Sequence, residues 1–116
     1  LYGSPLSGNS FESYVVQQII ASLNDTVAPY FYRTADGSAI DLILVKGISP
    51  LVSIEIKLSN TPKLSRGNTV SMTDLQTPHN FVVTPSGRDY PLKHDLWVSD
   101  LQNIWRHLQE LGLLNT

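Results

Sequence analysis

The chain has 116 residues, of which 41% are hydrophobic and 16% charged, and its formal net charge is -2. This length predicts a single globular domain over residues 1–116, and the acidic balance argues against a protein that binds nucleic acid through a strongly basic surface. The absence of cysteine excludes disulfides and thiolate metal sites and is expected of a cytoplasmic protein. No apolar run is long enough to span a bilayer, so we expect no membrane partner.

An amphipathic helix is predicted from about Asn9 to Leu23. Its apolar residues recur at helical spacing and form one stripe, which comprises Phe11, Val15, Val16, Ile19, Ile20 and Leu23. Asn9 and Glu12 have the spacing of a capping box at a helix N-terminus. Glu12 therefore has two interpretations that are compatible with each other, a helix cap or an acid that belongs to a site.

Three consecutive strands are predicted next. Tyr30–Arg33 is aromatic and strand-like, and Asp36-Gly37 is a hairpin signal that leads directly into Ile40–Val45. A short Gly-Ile-Ser-Pro link at 47–50 then connects to Val52–Lys57. Because both links are short, we expect the three strands to pair antiparallel.

The second and third strands carry the charged residues that need an explanation. Ile40–Val45 is apolar on both faces apart from Asp41, and a buried carboxylate is costly unless a cation or hydrogen bonds satisfy it. Alternation in the third strand sends Glu55 and Lys57 to one face. If Asp41 stands opposite Glu55, all three groups share that face, and we expect this register although the link allows either.

The rest of the chain carries weaker signals. We predict a poorly marked helix over about 63–76, a short buried strand at Phe81–Val83, a turn at 86–89 and a further edge strand at about 94–98. The last helix is better marked, since Ser99 and Gln102 have capping-box spacing and an apolar stripe runs from Leu101 to Leu111 before Gly112.

This order of elements, with an acid on the second strand and Glu-x-Lys on the third, resembles the core of the PD-(D/E)XK phosphodiesterase superfamily. The resemblance implies an α/β fold with a restriction-endonuclease-like core (αβββαβ), in which helices flank a mixed central sheet. It also implies a nuclease that binds Mg²⁺ or Mn²⁺ through Asp41, Glu55 and the carbonyl of Ile56. Lys57 would orient the attacking water, and Glu12 would be the helical acid that completes the catalytic set.

A narrower resemblance covers roughly residues 8 to 101. The segments that carry it are Gly8-x-x-Phe11-Glu12, Tyr32-Arg33-Thr34-x-Asp36-Gly37, Ile40-Asp41-Leu42-Ile43-Leu44, Ile54-Glu55-Ile56-Lys57 and Ser65-Arg66-Gly67. They look like an uncharacterised nuclease-like domain found at the C-terminus of many prokaryotic AAA-type ATPases. The resemblance implies DNA as a partner and an N-terminal AAA-type ATPase domain in the full-length protein. A start at Leu1-Tyr2-Gly3, without methionine, is expected of such a C-terminal fragment.

Alternative interpretations remain for the other residues. Arg33, Lys63 and Arg66 are candidate phosphate-binding residues, but single basic residues are usually solvated. The aromatic residues are expected to belong to the core rather than to base-stacking platforms; they are Tyr30, Phe31, Tyr32, Trp97 and Trp105.

Two functions from different classes are compatible with the sequence. The first is a Mg²⁺-dependent nuclease that hydrolyses DNA phosphodiester bonds. The second is a non-catalytic module of the ATPase that uses the nuclease-like fold to bind DNA or protein.

Overall fold

The computed structural model describes residues 7–33, 39–58, 76–85, 88–93 and 95–115. The helices and strands in these ranges are α1 (Ser7–Ser22), β1 (Val27–Arg33), β2 (Ala39–Lys46), β3 (Ser49–Ile56), β4 (His79–Val83), β5 (Tyr90–Lys93), β6 (Leu96–Ser99) and α2 (Leu101–Glu110). The predicted α/β class is confirmed. Neither of the two helices in these ranges is long and apolar enough to cross a membrane.

The described strands form one mixed sheet in the order β1-β2-β3-β4-β6-β5. β1, β2 and β3 pair antiparallel as predicted, whereas β3 with β4 and β4 with β6 pair parallel. β5 pairs antiparallel with β6 at the far edge. The sheet therefore changes from antiparallel to parallel at β3, the strand that carries Glu55.

Apolar side chains are buried on both faces of this sheet, because successive residues of a strand point to opposite sides. One face packs against both helices and forms the larger cluster, which includes Val15, Ile19, Leu42, Leu44, Val52, Ile54, Ile104 and Leu108. A second cluster contains Ile43, Val82, Leu96 and Val98. β2 contributes to both clusters, which confirms that its run of apolar residues lies between two covered faces.

The hairpin between β2 and β3 is tighter than predicted. Only Gly47 and Ile48 form the turn, and Gly47 has a φ of 69°, which is a conformation that glycine adopts without strain. Ser49 and Pro50 of the predicted link belong to β3 instead, and the register shifts between Leu44 and Val45, where β3 has one additional residue, Leu51.

Both predicted helix caps are wrong. α1 begins at Ser7, so Asn9 lies inside the helix and does not cap it. α2 is capped one residue later than predicted, because the Asp100 side chain accepts a hydrogen bond from the N–H of Asn103 at 2.8 Å. Ser99 ends β6. Glu12 is thus free of the capping-box role that its spacing suggested.

The C-terminal segment is joined to the end of α1. The N–H of Asn24 donates to the carbonyl of Leu113 at 3.0 Å, and the N–H of Asn115 donates to the carbonyl of Ser22 at 2.8 Å. The Asn24 side chain also donates to the carbonyl of Gly112 at 2.9 Å. Leu113 is fully buried in the helix-side cluster. These contacts link two parts of the chain that are almost its full length apart.

Two further predictions are corrected. The strand predicted at about 94–98 is present as β6, but it lies inside the sheet, and the edge is formed by β5, which the sequence does not predict. Tyr30 and Phe31 are exposed to 55% and 71%, so they are not core residues. Trp97 and Trp105 do pack against the core. The predicted hairpin turn at 36–37 and all but the end of the helix predicted over 63–76 lie outside the described residues.

Candidate metal centre

The four residues of the predicted site come from three elements that meet at one end of the β2–β3 pair. Glu12 lies near the start of α1, Asp41 near the start of β2, and Glu55 near the end of β3. Lys57 follows β3 directly, and its N–H donates to the carbonyl of Val83 at 2.9 Å. That bond holds the backbone of Lys57 against the end of β4.

The strand register brings Asp41 opposite Glu55. The ladder between β2 and β3 ends at the pair of Leu42 and Ile54, and continuing this register by one residue places Asp41 opposite Glu55, which is the predicted arrangement. Two hydrogen bonds cross at this step, both of which use a side-chain carboxylate. The N–H of Asp41 donates to Oε1 of Glu55 at 3.3 Å, and the N–H of Ile56 donates to Oδ2 of Asp41 at 2.8 Å.

An irregularity between β1 and β2 lies at the same place. Tyr30 pairs with Ile43 and Tyr32 with Ile40, so β2 uses one residue more than β1 over this stretch. Asp41 and Leu42 therefore both lie across from Phe31. Bulges of this kind bend a strand and redirect a side chain. We infer that the bulge turns the Asp41 side chain so that it can contact both Glu12 on α1 and Glu55 on β3.

Lys57 supplies the positive charge of the cluster. Its Nζ lies 3.4 Å from Oε2 of Glu55, and the two side chains are 30% and 10% exposed. This ion pair is partly shielded from water, so it is stronger than a fully exposed pair. The Lys57 ammonium thus lies beside the acids, at the end of the sheet where β3 finishes.

The acids perturb one another. Burial raises the pKa of Glu55 to about 7, and the hydrogen bond with Asp41 and its negative charge add to this effect, whereas Lys57 opposes it. Burial likewise raises the pKa of Glu12 to about 7, together with the charge of Asp41 and a hydrogen bond to it. Without a cation, the cluster therefore retains protons near neutral pH.

The donor set fits a hard cation, although the described residues contain no ready group of three His, Asp or Glu side chains arranged to hold a metal ion. One oxygen of Asp41 accepts the Ile56 N–H, and Glu55 contacts both Lys57 and the Asp41 N–H. Mg²⁺ prefers oxygen ligands, retains several waters and is commonly bound through only one or two carboxylates. Asp41 and Glu55 therefore suffice in number and in chemistry.

The structure does not describe the side chains of the candidate phosphate-binding residues. Arg33 ends β1, but its side chain lies outside the described part of the structure. Lys63 and Arg66 lie outside it entirely. Their assignment stays a prediction.

A second charged cluster, which joins the residue before β5 to the end of β6 and to α2, was missed by the sequence analysis. Asp89 accepts hydrogen bonds from Oγ of Ser99 at 3.0 Å and from Arg106, and its Oδ1 lies 2.8 Å from Nε2 of His107. The His107 ring lies 5.0 Å, centroid to centroid, from both Phe81 and Trp97. These residues are scattered in the sequence without a motif, so no local signal predicts that they meet.

This second cluster fastens α2 to the loop before β5. Although burial disfavours the charged carboxylate, hydrogen bonds from His107 and Ser99 and the positive charges nearby hold the pKa of Asp89 below its usual value. Asp89 is bonded to residues of the fold itself, and the His107 imidazole packs beside the rings of Phe81 and Trp97. We therefore interpret this cluster as structural.

Comparison with known proteins gives a family but no activity. A family model described as "Domain of unknown function (DUF4143)" matches residues 7–104, which include all four residues of the candidate centre. An uncharacterized protein of Mycobacterium bovis, Mb2031c, is 32% identical over 89 residues, as is the uncharacterized protein Rv2008c of Mycobacterium tuberculosis. Each alignment covers 77% of this chain and 20% of the relative, so the chain spans about a fifth of their length. No solved structure matches the chain.

Proposed function

The chain belongs to the family described as domain of unknown function DUF4143, and we propose that it is a nuclease domain that hydrolyses DNA phosphodiester bonds with Mg²⁺ or Mn²⁺. One observation supports this proposal most directly. Glu12, Asp41 and the Glu55-x-Lys57 pair come from three separate segments of the chain and interact at one end of the sheet, and the pKa values of both glutamates are raised to about 7. Strongly perturbed acids beside a specific cation are typical of functional sites.

The acids would bind the metal. Asp41 and Glu55 would each supply a carboxylate oxygen. The N–H of Ile56 points toward Asp41 on β2, and in a strand the C=O of a residue points to the same side as its N–H. The carbonyl of Ile56 would therefore supply a further ligand. Glu12 would contact the ion through water. When bound, Mg²⁺ or Mn²⁺ would neutralise charge on the phosphate and lower the pKa of a bound water.

Lys57 would act on the substrate side of the centre. Its ammonium lies 3.4 Å from Glu55, so a water or phosphate oxygen next to that carboxylate is within its reach. A preorganised cation at this point would orient the attacking water and stabilise the negative charge that develops on the phosphate. The Val83 carbonyl holds the backbone of Lys57 in place for this role.

The proposal extends to the fold and to the longer protein. A mixed sheet that begins with three antiparallel strands and continues with parallel ones, with helices beside it, is compatible with the restriction-endonuclease-like core of the PD-(D/E)XK superfamily. The curated relatives are about five times as long as the aligned segment. We propose a cytoplasmic protein in which an AAA-type ATPase domain precedes this one.

The mutual contacts of the four charged groups are also compatible with a second function, that of a non-catalytic binding module. The four groups largely satisfy one another, since Asp41 accepts the Ile56 N–H and Glu55 pairs with Lys57. Such a set of contacts would also stabilise the sheet in a non-catalytic module that binds DNA or protein for the ATPase.

Cleavage assays separate the two functions. The purified chain would be incubated with single-stranded, duplex and branched DNA in Mg²⁺ or Mn²⁺, beside Lys57→Ala and the control Lys46→Ala. Lys46 is an exposed lysine at the opposite end of the β2–β3 hairpin. A nuclease loses turnover by about 10²–10³-fold in Lys57→Ala and keeps it in Lys46→Ala. If wild type cleaves none of these substrates, the binding module is the better description.

A further inference from the structure

A cavity of about 290 Å³ lies between α2 and the sheet, apart from the candidate metal centre. His79 begins β4 and Asp95 directly precedes β6, so the cavity lies toward the N-terminal ends of these two strands. Glu55 lies near the C-terminal end of β3, which runs parallel to β4. The cavity therefore lies toward the other end of the strands from the acids of that centre, and its volume is close to the lower limit of small-ligand sites.

Aromatic side chains form part of the wall of this cavity. Phe81 and Trp97 are register partners on β4 and β6, and both line it. Phe81 is buried, whereas Trp97 is only partly buried, so part of this residue remains accessible. An indole ring is the side chain on which a cation binds most favourably, and a guanidinium can also stack on it because it is planar.

Two carboxylates that line the cavity are weakly engaged by the fold. The side chain of Asp95 makes no hydrogen bond or ion pair within the described residues, although its main-chain carbonyl accepts the N–H of Asn80 at 3.1 Å. Glu110 lies 3.9 Å from Arg106, and both of these side chains are more than half exposed. Such an exposed pair contributes little to stability. Both carboxylates can therefore accept hydrogen bonds from a ligand.

The charge around the cavity favours a cationic ligand. Among the described residues that line it, Arg106 is the only lysine or arginine, and its guanidinium already binds Asp89. Lys93 points away from the cavity, since its partner Leu96 belongs to the apolar cluster on the other face of the sheet. The negative charges of the two carboxylates thus remain uncompensated.

We propose that this cavity binds a guanidinium group on a short aliphatic stem, the group that an arginine side chain carries. The planar guanidinium would stack on the Trp97 indole and donate N–H groups to the Asp95 carboxylate. Glu110 would contribute a second negative charge on the more exposed side. An ammonium group would bind less well, because it neither stacks nor donates as a fixed fork. This inference does not depend on the nuclease function proposed above.

Calorimetric titration with matched probes tests the proposal. The probes are arginine capped as its N-acetyl amide, capped lysine, and capped citrulline, which has the shape of arginine without its charge. We expect capped arginine to bind, capped lysine to bind more weakly, and capped citrulline not to bind at tens of millimolar. The fluorescence of Trp97 gives a second measurement in Trp105→Phe, since the chain has only two tryptophans, and it should respond to capped arginine and not to capped citrulline.

Three near-isosteric substitutions locate the binding site. Asp95→Asn should weaken the binding of capped arginine by about 10-fold or more, because a hydrogen bond between two charged groups is lost. Glu110→Gln should have a smaller effect, since this side chain is 65% exposed. Asp25→Asn, at an exposed acid in the turn before β1, makes the same change in net charge and is the control. It should bind capped arginine as wild type does.

Free L-arginine identifies the source of the guanidinium group. If it binds no more tightly than capped arginine, the ligand is a side chain of a protein partner, whereas tighter binding indicates a small molecule, and either result supports the site. Equal binding of capped arginine and capped citrulline, an equal loss in Asp95→Asn and Asp25→Asn, or no binding of any probe overturns it. Because no measurement involves DNA or a metal ion, each of these results leaves the proposed nuclease function to its own test.

Discussion

The main-chain N–H of Ile56 donates a hydrogen bond to the carboxylate of Asp41 across the end of the β2–β3 pair, over 2.8 Å. A side chain thereby takes the place that a main-chain carbonyl has elsewhere in an antiparallel ladder. The bond orients the Asp41 carboxylate before any ligand arrives, and it links the proposed metal ligand to the stability of the strand pair.

Two substitutions at Asp41 separate charge from hydrogen bonding. Asp41→Asn keeps an oxygen that accepts the Ile56 N–H, so we expect a nearly unchanged free energy of unfolding but weaker Mn²⁺ binding. Asp41→Ala leaves that N–H unsatisfied and should cost about 1–3 kcal/mol more. Urea denaturation and titration calorimetry with Mn²⁺ measure the two effects. Equal stability of the two variants would show that the hydrogen bond is unimportant.

The stability of the metal-free protein should fall as pH rises from about 4.5 to 7. The pKa of Glu55 is raised from 4.5 to about 7 in the folded state, chiefly by burial, so the folded state binds more protons than the unfolded state in this window. Deprotonation then disfavours folding. We expect the melting temperature in EDTA to decrease by ~2–8 °C across this range.

Glu55→Gln should flatten this pH dependence, since an amide has no proton to lose. Glu12→Gln should flatten it as well, because the pKa of Glu12 is likewise raised to about 7. Glu110→Gln, at an acid of α2 that is 65% exposed, is the control and should leave the curve unchanged. A melting temperature that rises toward pH 7 in wild type would contradict the cause that we assign to these pKa values.

Added metal should reverse the loss of stability. A cation bound only by the folded state stabilises it by about 2.7 kcal/mol at a hundred times its Kd, which corresponds to ~10 °C in melting temperature. The effect should be larger at pH 8 than at pH 5, because the ligands bind the metal without their protons. Scanning calorimetry with Mn²⁺ tests this, and an identical shift in Asp41→Asn would place the ion elsewhere.

Asp89 should matter for stability and not for metal binding. Asp89→Ala removes the shared acceptor of Ser99, Arg106 and His107, so we expect a loss of about 1–3 kcal/mol with Mn²⁺ affinity unchanged. Because the pKa of Asp89 is lowered in the folded state, its contribution is present above about pH 4 and is lost as pH falls further. Acid unfolding of wild type and variant should therefore converge at low pH, and a variant that fails to bind Mn²⁺ would refute the separation.

The elements that the sequence predicted well are those in which local pattern and burial agree. α1, the antiparallel β1–β3 run and α2 all carry apolar residues at the spacing of their secondary structure, and both buried faces of β2 follow from its continuous apolar run. The register that places Asp41 opposite Glu55 is predicted only because it gathers the charged groups on one face, since the hairpin link allows either register.

The remaining features depend on contacts that no local pattern encodes. β5 contains Pro91 and exposed residues, which suit an edge strand but do not mark one in the sequence. The aromatic character of Tyr30 and Phe31 favours core positions, whereas both side chains are exposed on β1, the first strand of the described sheet. The cluster around Asp89 joins this loop residue to residues of β6 and α2 that lie 10 and 18 positions further along the chain.

The joint between α1 and the C-terminal segment bears on where this domain can be cut. The family match ends at residue 104, whereas the partners of Ser22 and Asn24 lie at 112–115. A shortened protein that stops at the end of the match would lose more than half of α2, the buried Leu113 and the hydrogen bonds that join Ser22 and Asn24 to residues 112–115. Since α1 also carries Glu12, a truncation at the far end of the chain would loosen one wall of the proposed metal centre.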